Sequence, residues 1–137
     1  MRYTLALFVT ILAFSTLHAQ EKIDPVAVEK AVDIMAEQYQ LNAEQREQAV
    51  EIQTRRLRNL AEIAPLKNTA YNQYLQKKHF IREATQASVR RLLTTEQMPI
   101  LKEQLLERRK KESKLIERLK AEGASQKDIQ IAIWELD

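Results

Sequence analysis

The stretch LTTEQ at residues 93–97 decides the fold, because a close copy of it, LNAEQ, occurs at residues 41–45. Both copies read Leu-(Asn/Thr)-x-Glu-Gln, and each lies just before a long run in which apolar residues recur at helical spacing. A short polar pattern ahead of such a run is typical of a helix start. The sequence therefore predicts two equivalent helix starts.

Each copy has the residues of a capping box. Asn42 and Thr94 are predicted to be N-cap residues, whose side-chain oxygens accept hydrogen bonds from backbone N–H groups of the first turn. Gln45 and Gln97, three residues later, are predicted to return a side-chain hydrogen bond to the backbone of the cap. Two unrelated helix starts would give the same pattern, so the repeat alone assigns no function.

An apolar residue precedes each predicted cap. Leu41 and Leu93 are placed to pack onto the first turn beyond the box, as in a hydrophobic staple. Met98 can complete this contact in the second copy, whereas Arg46 is poorly suited to it in the first. Pro99 lacks the N–H that the predicted helix needs there, so either the first turn is distorted or the helix begins later than the box implies.

Residues 1–19 have the organisation of a cleavable export signal. Arg2 gives a positive start, residues 5–14 form an apolar segment interrupted by Thr10, and Ala19 is a small residue suited to cleavage. The apolar segment is shorter than the ~20 residues that span a bilayer, although an uncleaved anchor is an alternative. We therefore expect a signal peptide over residues 1–19 and a single mature domain over residues 20–137.

The composition argues against several classes of function. The chain has no cysteine and one glycine, Gly123, so disulfides, thiolate chemistry and glycine-rich phosphate loops are excluded. His79 is the one histidine beyond the leader, and Met35 and Met98 are far apart, which disfavours a metal site. We predict no catalytic residues, no cofactor and no metal. An exported chain also meets no chromosomal DNA, so we predict no nucleic-acid partner.

The spacing of apolar residues predicts an all-α domain with four to five helices. Pro65 is expected to break or kink the chain between the second and third helical segments. The predicted segments run from Asp24-Pro25 to about Gln40, from the first box to about Ile63, from about Leu66 to Leu92, from the second box to Gly123, and from Ser125 onward.

The apolar stripes on these segments are narrow, and residues 107–114 contain no apolar side chain at all. Long helices with interrupted stripes favour elongated hairpins over a compact bundle. Such a chain is expected to bury more surface as a homodimer, although the same stripes could close a monomeric bundle.

The repeat, the leader and the helical content resemble the LTxxQ-motif periplasmic proteins of the Spy/CpxP family. Residues 93–97 match the pattern Leu-Thr-x-x-Gln in full, and residues 41–45 have Asn in place of Thr, which preserves capping. The layout of the whole mature domain is similar, but the specific match covers about ten residues. The short span between the motifs, Pro99 and the segment after Gly123 depart from the family pattern.

The resemblance implies a cradle-like antiparallel dimer in the periplasm of a Gram-negative bacterium. Spy-like members are ATP-independent chaperones of the envelope-stress response, which hold unfolded or misfolded envelope proteins. CpxP-like members also inhibit a sensor kinase by binding its periplasmic domain, and a third branch responds to metals. We therefore expect a chaperone, with a sensor-kinase regulator as the first alternative and a metal-responsive sensor as the second.

A chaperone surface needs charge for long-range attraction and apolar side chains for short-range contact. Basic and apolar residues alternate in this way on the second and third segments, although an ordinary solvated helix face would look similar. The predicted client-binding residues are Arg55, Arg56, Leu57, Arg58, Lys67, Tyr71, Tyr74, Lys77, Lys78, Phe80 and Arg82. The basic run at residues 108–111 has three interpretations: a solvated helix face, a site for an acidic partner, or a contact with anionic lipid head groups. We favour the solvated face, because neighbouring glutamates can pair with the run at helical spacing.

Overall fold

A computed structural model describes residues 23–136, so the predicted signal peptide lies outside the described residues. Helices account for 84% of this part of the chain, and it contains no strand, which confirms the all-α prediction. The helices are α1 (Pro25–Tyr39), α2 (Ala43–Ile63), α3 (Leu66–Thr69), α4 (Tyr71–Leu92), α5 (Met98–Ala121) and α6 (Gln126–Glu135). None of them is long and apolar enough to cross a membrane.

Helix α1 begins as its sequence predicts. The Asp24 side chain accepts a hydrogen bond from the backbone N–H of Val26 at 3.0 Å, and Pro25 occupies the first helical position, where its missing donor has no consequence. The predicted apolar stripe is buried against the rest of the molecule; it consists of Val28, Val32, Met35 and Tyr39.

Two helices end in a left-handed residue. Gly123, predicted to end the fourth segment, has φ +77°, and the next N–H, that of Ala124, donates to the Leu119 carbonyl at 2.9 Å. Gln40 ends α1 in the same way, with φ 54° and a hydrogen bond from Leu41 N–H to the Ala36 carbonyl at 3.0 Å. A side chain at positive φ is strained, so Gln40 holds this conformation at some cost in stability.

The predicted third segment is not continuous, which corrects the sequence analysis. Ala70 has φ −153° and ψ 65°, and this non-helical residue separates the single turn α3 from α4. Helix α3 buries no side chain, so no packing energy opposes the break. Leu75, only 2% exposed, instead anchors α4 after the chain has changed direction.

The helices form antiparallel neighbours around one hydrophobic core. Helix α1 packs on α2, α2 packs on α4, and α6 packs on α4 and α5. The buried core residues come from four helices and from the second motif; they are Val28, Val32, Met35, Tyr39, Ala49, Ile52, Val89, Leu93 and Leu101. Leu41 and Met98 pack against this core, whereas Arg46 pairs with Asp33 of α1.

Candidate functional site

The first motif forms the capping box that the sequence predicts. The backbone N–H of Gln45 donates to the Asn42 side-chain oxygen at 2.9 Å, and the backbone N–H of Asn42 donates to Gln45 Oε1 at 3.0 Å. The box therefore satisfies two backbone donors at the start of α2, the N–H groups of Asn42 and Gln45, within the motif.

The second motif keeps only half of its predicted box, which corrects the assignment of Thr94 as a side-chain cap. Helix α5 begins at Met98 without a side-chain cap, although the backbone N–H of Thr94 still donates to Gln97 Oε1 at 3.0 Å. Pro99 explains the shift, because a start at Met98 places the proline in the first turn, where its missing N–H is harmless. The helix thus begins later than the box implies.

The two motifs meet through their glutamines, which we call the glutamine junction (Gln45 and Gln97). Gln45 Nε2 donates to Gln97 Oε1 at 2.7 Å, and Gln97 Nε2 donates to Gln45 Oε1 at 3.0 Å. Gln45 is only 6% exposed, so its amide depends on protein partners rather than on water.

Each glutamine of the junction also binds the backbone of the other motif. Gln45 Nε2 donates to the Leu92 carbonyl at 2.9 Å, and Gln97 Nε2 donates to the Gln40 carbonyl at 2.9 Å. Both carbonyls belong to the residue just before the motif leucine, so the contacts are related by an approximate two-fold symmetry. The junction thereby joins the starts of α2 and α5 to the ends of α4 and α1.

Beside this junction, α1, α2, α4 and α5 enclose an open groove of about 580 Å³. Three of these helices contribute the same order of residues: a buried apolar residue, then a glutamine one turn on, then an arginine one further turn on. The sets are Ala49, Gln53 and Arg56 on α2, Val89, Gln86 and Arg82 on α4, where the order runs against the chain direction, and Leu101, Gln104 and Arg108 on α5; all of these residues except Ala49 line the groove. Because α4 runs antiparallel to α2, its reversed order places glutamine beside glutamine and arginine beside arginine. The groove therefore has a layer of glutamines and a layer of arginines.

The glutamine layer (Gln53, Gln86 and Gln104) crosses the middle of the groove. The phenol of Tyr39 donates to Gln104 Oε1 at 2.6 Å, and burial raises the pKa of this phenol, which therefore stays protonated as a donor. Gln53 Nε2 lies 3.8 Å from the sulfur of Met35. The layer thus presents amide groups between apolar neighbours.

The arginine layer (Arg56, Arg82 and Arg108) lines the end of the groove away from the junction. Arg82 pairs with Glu83 at 2.8 Å and Arg108 pairs with Glu112 at 2.8 Å. Neither glutamate lines the groove, and its lining, within the described part of the chain, includes no aspartate or glutamate. Arg56 donates instead to the neutral Gln53 Oε1 at 3.4 Å. Three arginines against two glutamates leave this end of the groove with a small net positive charge.

Apolar side chains form the walls of the groove. Ile34 on α1 is 56% exposed, although a branched aliphatic side chain is normally buried. Leu105 on α5 is half-buried in the same lining, and Val89 and Leu101 lie at its floor. The groove accordingly offers apolar contact, amide groups and cationic groups in succession.

Only part of the predicted client-binding set lies in this groove. Arg56 and Arg82 line it, and Lys78 lines an adjoining cavity of about 330 Å³ that shares the arginine layer. Arg55, next to Arg56 in sequence, lies on the other side of the seam between α2 and α4, where it donates to Ser88 at 2.9 Å. The structure thus distributes the predicted residues over more than one face.

The rest of the predicted set lies outside the groove lining. Leu57 packs against the hydrophobic core, and Tyr71 and Tyr74 stack on each other with ring centroids 6.2 Å apart. Phe80 is 60% exposed, beside the ring of His79. The remaining members are the exposed residues Arg58, Lys67 and Lys77. Their role in client binding stays a prediction.

Sequence analysis missed most of the groove. The basic run at residues 108–111 was interpreted as a solvated face, but Arg108 is half-buried and lines the groove, whereas residues 109–111 are exposed. Ile34, the glutamine layer and Leu105 were not singled out. An apolar residue, a glutamine and an arginine recur at spacings of three and four, in this order on α2 and α5 and in reverse order on α4, and this signal could have found the glutamine layer.

The chemistry available in the groove is that of non-covalent binding. Amide and guanidinium groups bind polar and anionic partners, and the apolar walls bury aliphatic or aromatic side chains. Within residues 23–136, no three histidine, aspartate or glutamate side chains lie close enough together to hold a metal ion.

Comparisons with known proteins assign no family to this arrangement. The chain matches no protein-family model, no curated protein and no solved structure.

Proposed function

We propose that this chain is an ATP-independent periplasmic chaperone of the Spy/CpxP type, exported through the leader at residues 1–19. In this proposal it holds unfolded segments of envelope proteins in the groove beside the glutamine junction. It has no enzymatic activity and needs no cofactor, and it belongs to the response to envelope stress.

One observation carries this proposal: a single open groove combines exposed apolar walls with a cationic end. Unfolded chains expose apolar side chains and carry dispersed charge, so weak attraction to both features binds many different sequences. Cationic groups raise the rate of encounter, and apolar contact then holds the segment. A groove open to solvent suits an elongated chain better than a small molecule, which is usually enclosed.

The proposed dimer has support from a second surface. A groove of about 440 Å³ between α1 and α2 is lined by Val28 and Val32 and by the exposed side chain of Val50. Apolar surface of this kind favours packing against another chain. Sedimentation equilibrium of the chain from Gln20 onward, with Val50→Lys as the variant, tests whether a homodimer forms through it.

Suppression of aggregation tests the chaperone proposal. The chain from Gln20 onward is added, without ATP, to a chemically denatured client at low and high salt, and light scattering is followed. We expect suppression at near-stoichiometric ratios that weakens with salt, because screening shortens the reach of the arginine layer. A folded, helical protein that fails to suppress scattering at several-fold excess would refute the proposal.

A matched pair of variants locates the activity. Ile34→Ser removes an exposed apolar side chain from the groove, and Val26→Ser removes one from the same helix outside it. We expect Ile34→Ser to weaken suppression several-fold and Val26→Ser to leave it nearly unchanged. Equal effects of the two variants would place client binding elsewhere.

A further inference from the structure

We propose that the groove selects unfolded segments in which an apolar side chain is followed, three residues away, by an aspartate or glutamate. This inference rests on the proposed function and names the class of client that the groove favours. It predicts a dependence on sequence pattern that a general attraction to apolar chains does not have.

The sign of the charge comes from the lining of the groove. The arginine layer supplies three guanidinium groups from three helices, two of them in ion pairs with Glu83 and Glu112, and the groove lining within the described chain includes no carboxylate. Guanidinium groups form charge-assisted, often bidentate hydrogen bonds with carboxylates. A basic side chain placed there would instead be repelled, so acidic segments are favoured over basic ones.

The spacing comes from the helices. Seven residues separate Val89 from Arg82 on α4 and Leu101 from Arg108 on α5, and all four line the groove. Seven residues at ~1.5 Å each span about 10 Å. In polyproline II, a major conformation of unfolded chains, three residues advance about 9 Å and residues i and i+3 project to the same side. When the side chain of client residue i lies on the groove floor, the side chain of residue i+3 therefore reaches the arginine layer.

The glutamine layer suits the backbone between these two side chains. An extended segment has no internal hydrogen bonds, and burial of its N–H and C=O groups without partners is costly. Side-chain amides carry both donors and an acceptor, so Gln86 can pair with either group of the backbone, and Gln104, whose oxygen accepts from Tyr39, can donate through its Nε2. Gln53 is only 5% exposed and its oxygen accepts from Arg56, so it supports the arginine layer. The middle of the groove thus accepts client segments of many sequences, and the groove selects client side chains at its two ends.

Shape favours a polypeptide over an anionic membrane. The three arginines lie inside a concave groove and are half-buried, whereas contact with a bilayer needs cations on a projecting face. Only an extended chain can enter the groove and reach the arginine layer and the apolar floor together.

Peptide binding tests the inference directly. Isotope-labelled protein from Gln20 onward is titrated with peptides that contain one leucine and one aspartate in a Gly/Ser background, and ¹H–¹⁵N spectra report both affinity and position. Three peptides are compared: aspartate three positions after leucine, aspartate directly after leucine, and lysine in place of the aspartate. We expect the first to bind at least tenfold more tightly than either of the other two, with shifts at Gln53, Gln86 and Gln104.

Adjacent arginines supply the matched control. Arg56→Gln removes one member of the arginine layer, and Arg55→Gln removes the neighbouring charge on the other side of the seam. We expect Arg56→Gln to weaken binding of the first peptide about tenfold and Arg55→Gln to change it less than twofold. Equal losses would refute selection by the groove, since they would show an effect of net charge alone.

The outcomes separate the two proposals. If a denatured client protein shifts the groove signals but the aspartate and lysine peptides bind equally, the inference is wrong and the chaperone proposal stands. If neither client nor peptide shifts the groove signals, the proposed function of the groove is wrong. If phosphatidylglycerol vesicles shift the same signals with the same dependence on Arg56, the groove is an anion site for lipid, and the inference is overturned.

Discussion

Loss of the glutamine junction is expected to destabilise the whole domain. Gln97→Ala removes four hydrogen bonds: two with Gln45, one from the Thr94 N–H and one to the Gln40 carbonyl. At about 1 kcal/mol net for each bond, the upper limit is about 4 kcal/mol. Two of the four involve exposed groups that water can satisfy, so we expect a loss of about 2–3 kcal/mol in the free energy of unfolding.

Urea denaturation followed by far-ultraviolet circular dichroism measures this loss. A loss of this size is a large fraction of the ~5–15 kcal/mol that stabilises a typical domain. Gln48→Ala is the control, because Gln48 lies exposed on α2 away from the junction, and a change within about 0.5 kcal/mol is expected. Gln45→Ala is expected to cost as much as Gln97→Ala, since its amide is buried.

A double-mutant cycle then tests whether the two glutamines act as a pair. When one partner is gone, the other has already lost its mutual hydrogen bonds, so the double variant should lose about 1–2 kcal/mol less than the sum of the single variants. Single losses below about 0.5 kcal/mol that simply add would refute the argument, because they would show that water replaces the junction without cost.

Three further predictions concern single positions. Gln40→Gly relieves the strain at φ 54° and is expected to raise the free energy of unfolding by about 0.5–1 kcal/mol, measured in urea. Leu75→Ala empties a site that is 2% exposed and is expected to cost about 3 kcal/mol, whereas Phe80→Ala, at a site 60% exposed, should cost far less in the same experiment. The hydrogen bond and charge of Lys110 lower the pKa of Glu107, so the pair stabilises the fold above the pKa of the unfolded chain and loses that contribution as the pH falls through the lowered value. Lys110→Gln should therefore raise the pKa of Glu107 towards its usual value, as an NMR titration would show.

Features fixed by neighbouring residues could be predicted from the sequence. The Asn42 box, the stripe on α1 and the left-handed end at Gly123 each depend on residues within about two turns of one another. Thr94 failed as a cap because Pro99 imposes a competing requirement on the same turn. No residue in the local sequence indicates the break at Ala70, since alanine is compatible with a helix.

Features that join distant segments could not be predicted in the same way. Gln45 and Gln97 each show a local capping role in the sequence, and nothing local indicates that their side chains meet. The client-binding set failed to separate Arg55 from Arg56 because consecutive helical residues differ by about 100° in direction, and only the packing of α2 on α4 shows which one faces the groove.

The near-symmetry of the glutamine junction has an evolutionary consequence. Each glutamine serves its own motif and the other one at once, so a change at either position disturbs both. Descendants of this sequence are therefore expected to keep both glutamines or to replace them together, while Ala43 and Thr95, which lie exposed within the motifs, are free to diverge. A repeat that began as two independent helix starts would, once joined in this way, be inherited as a single character.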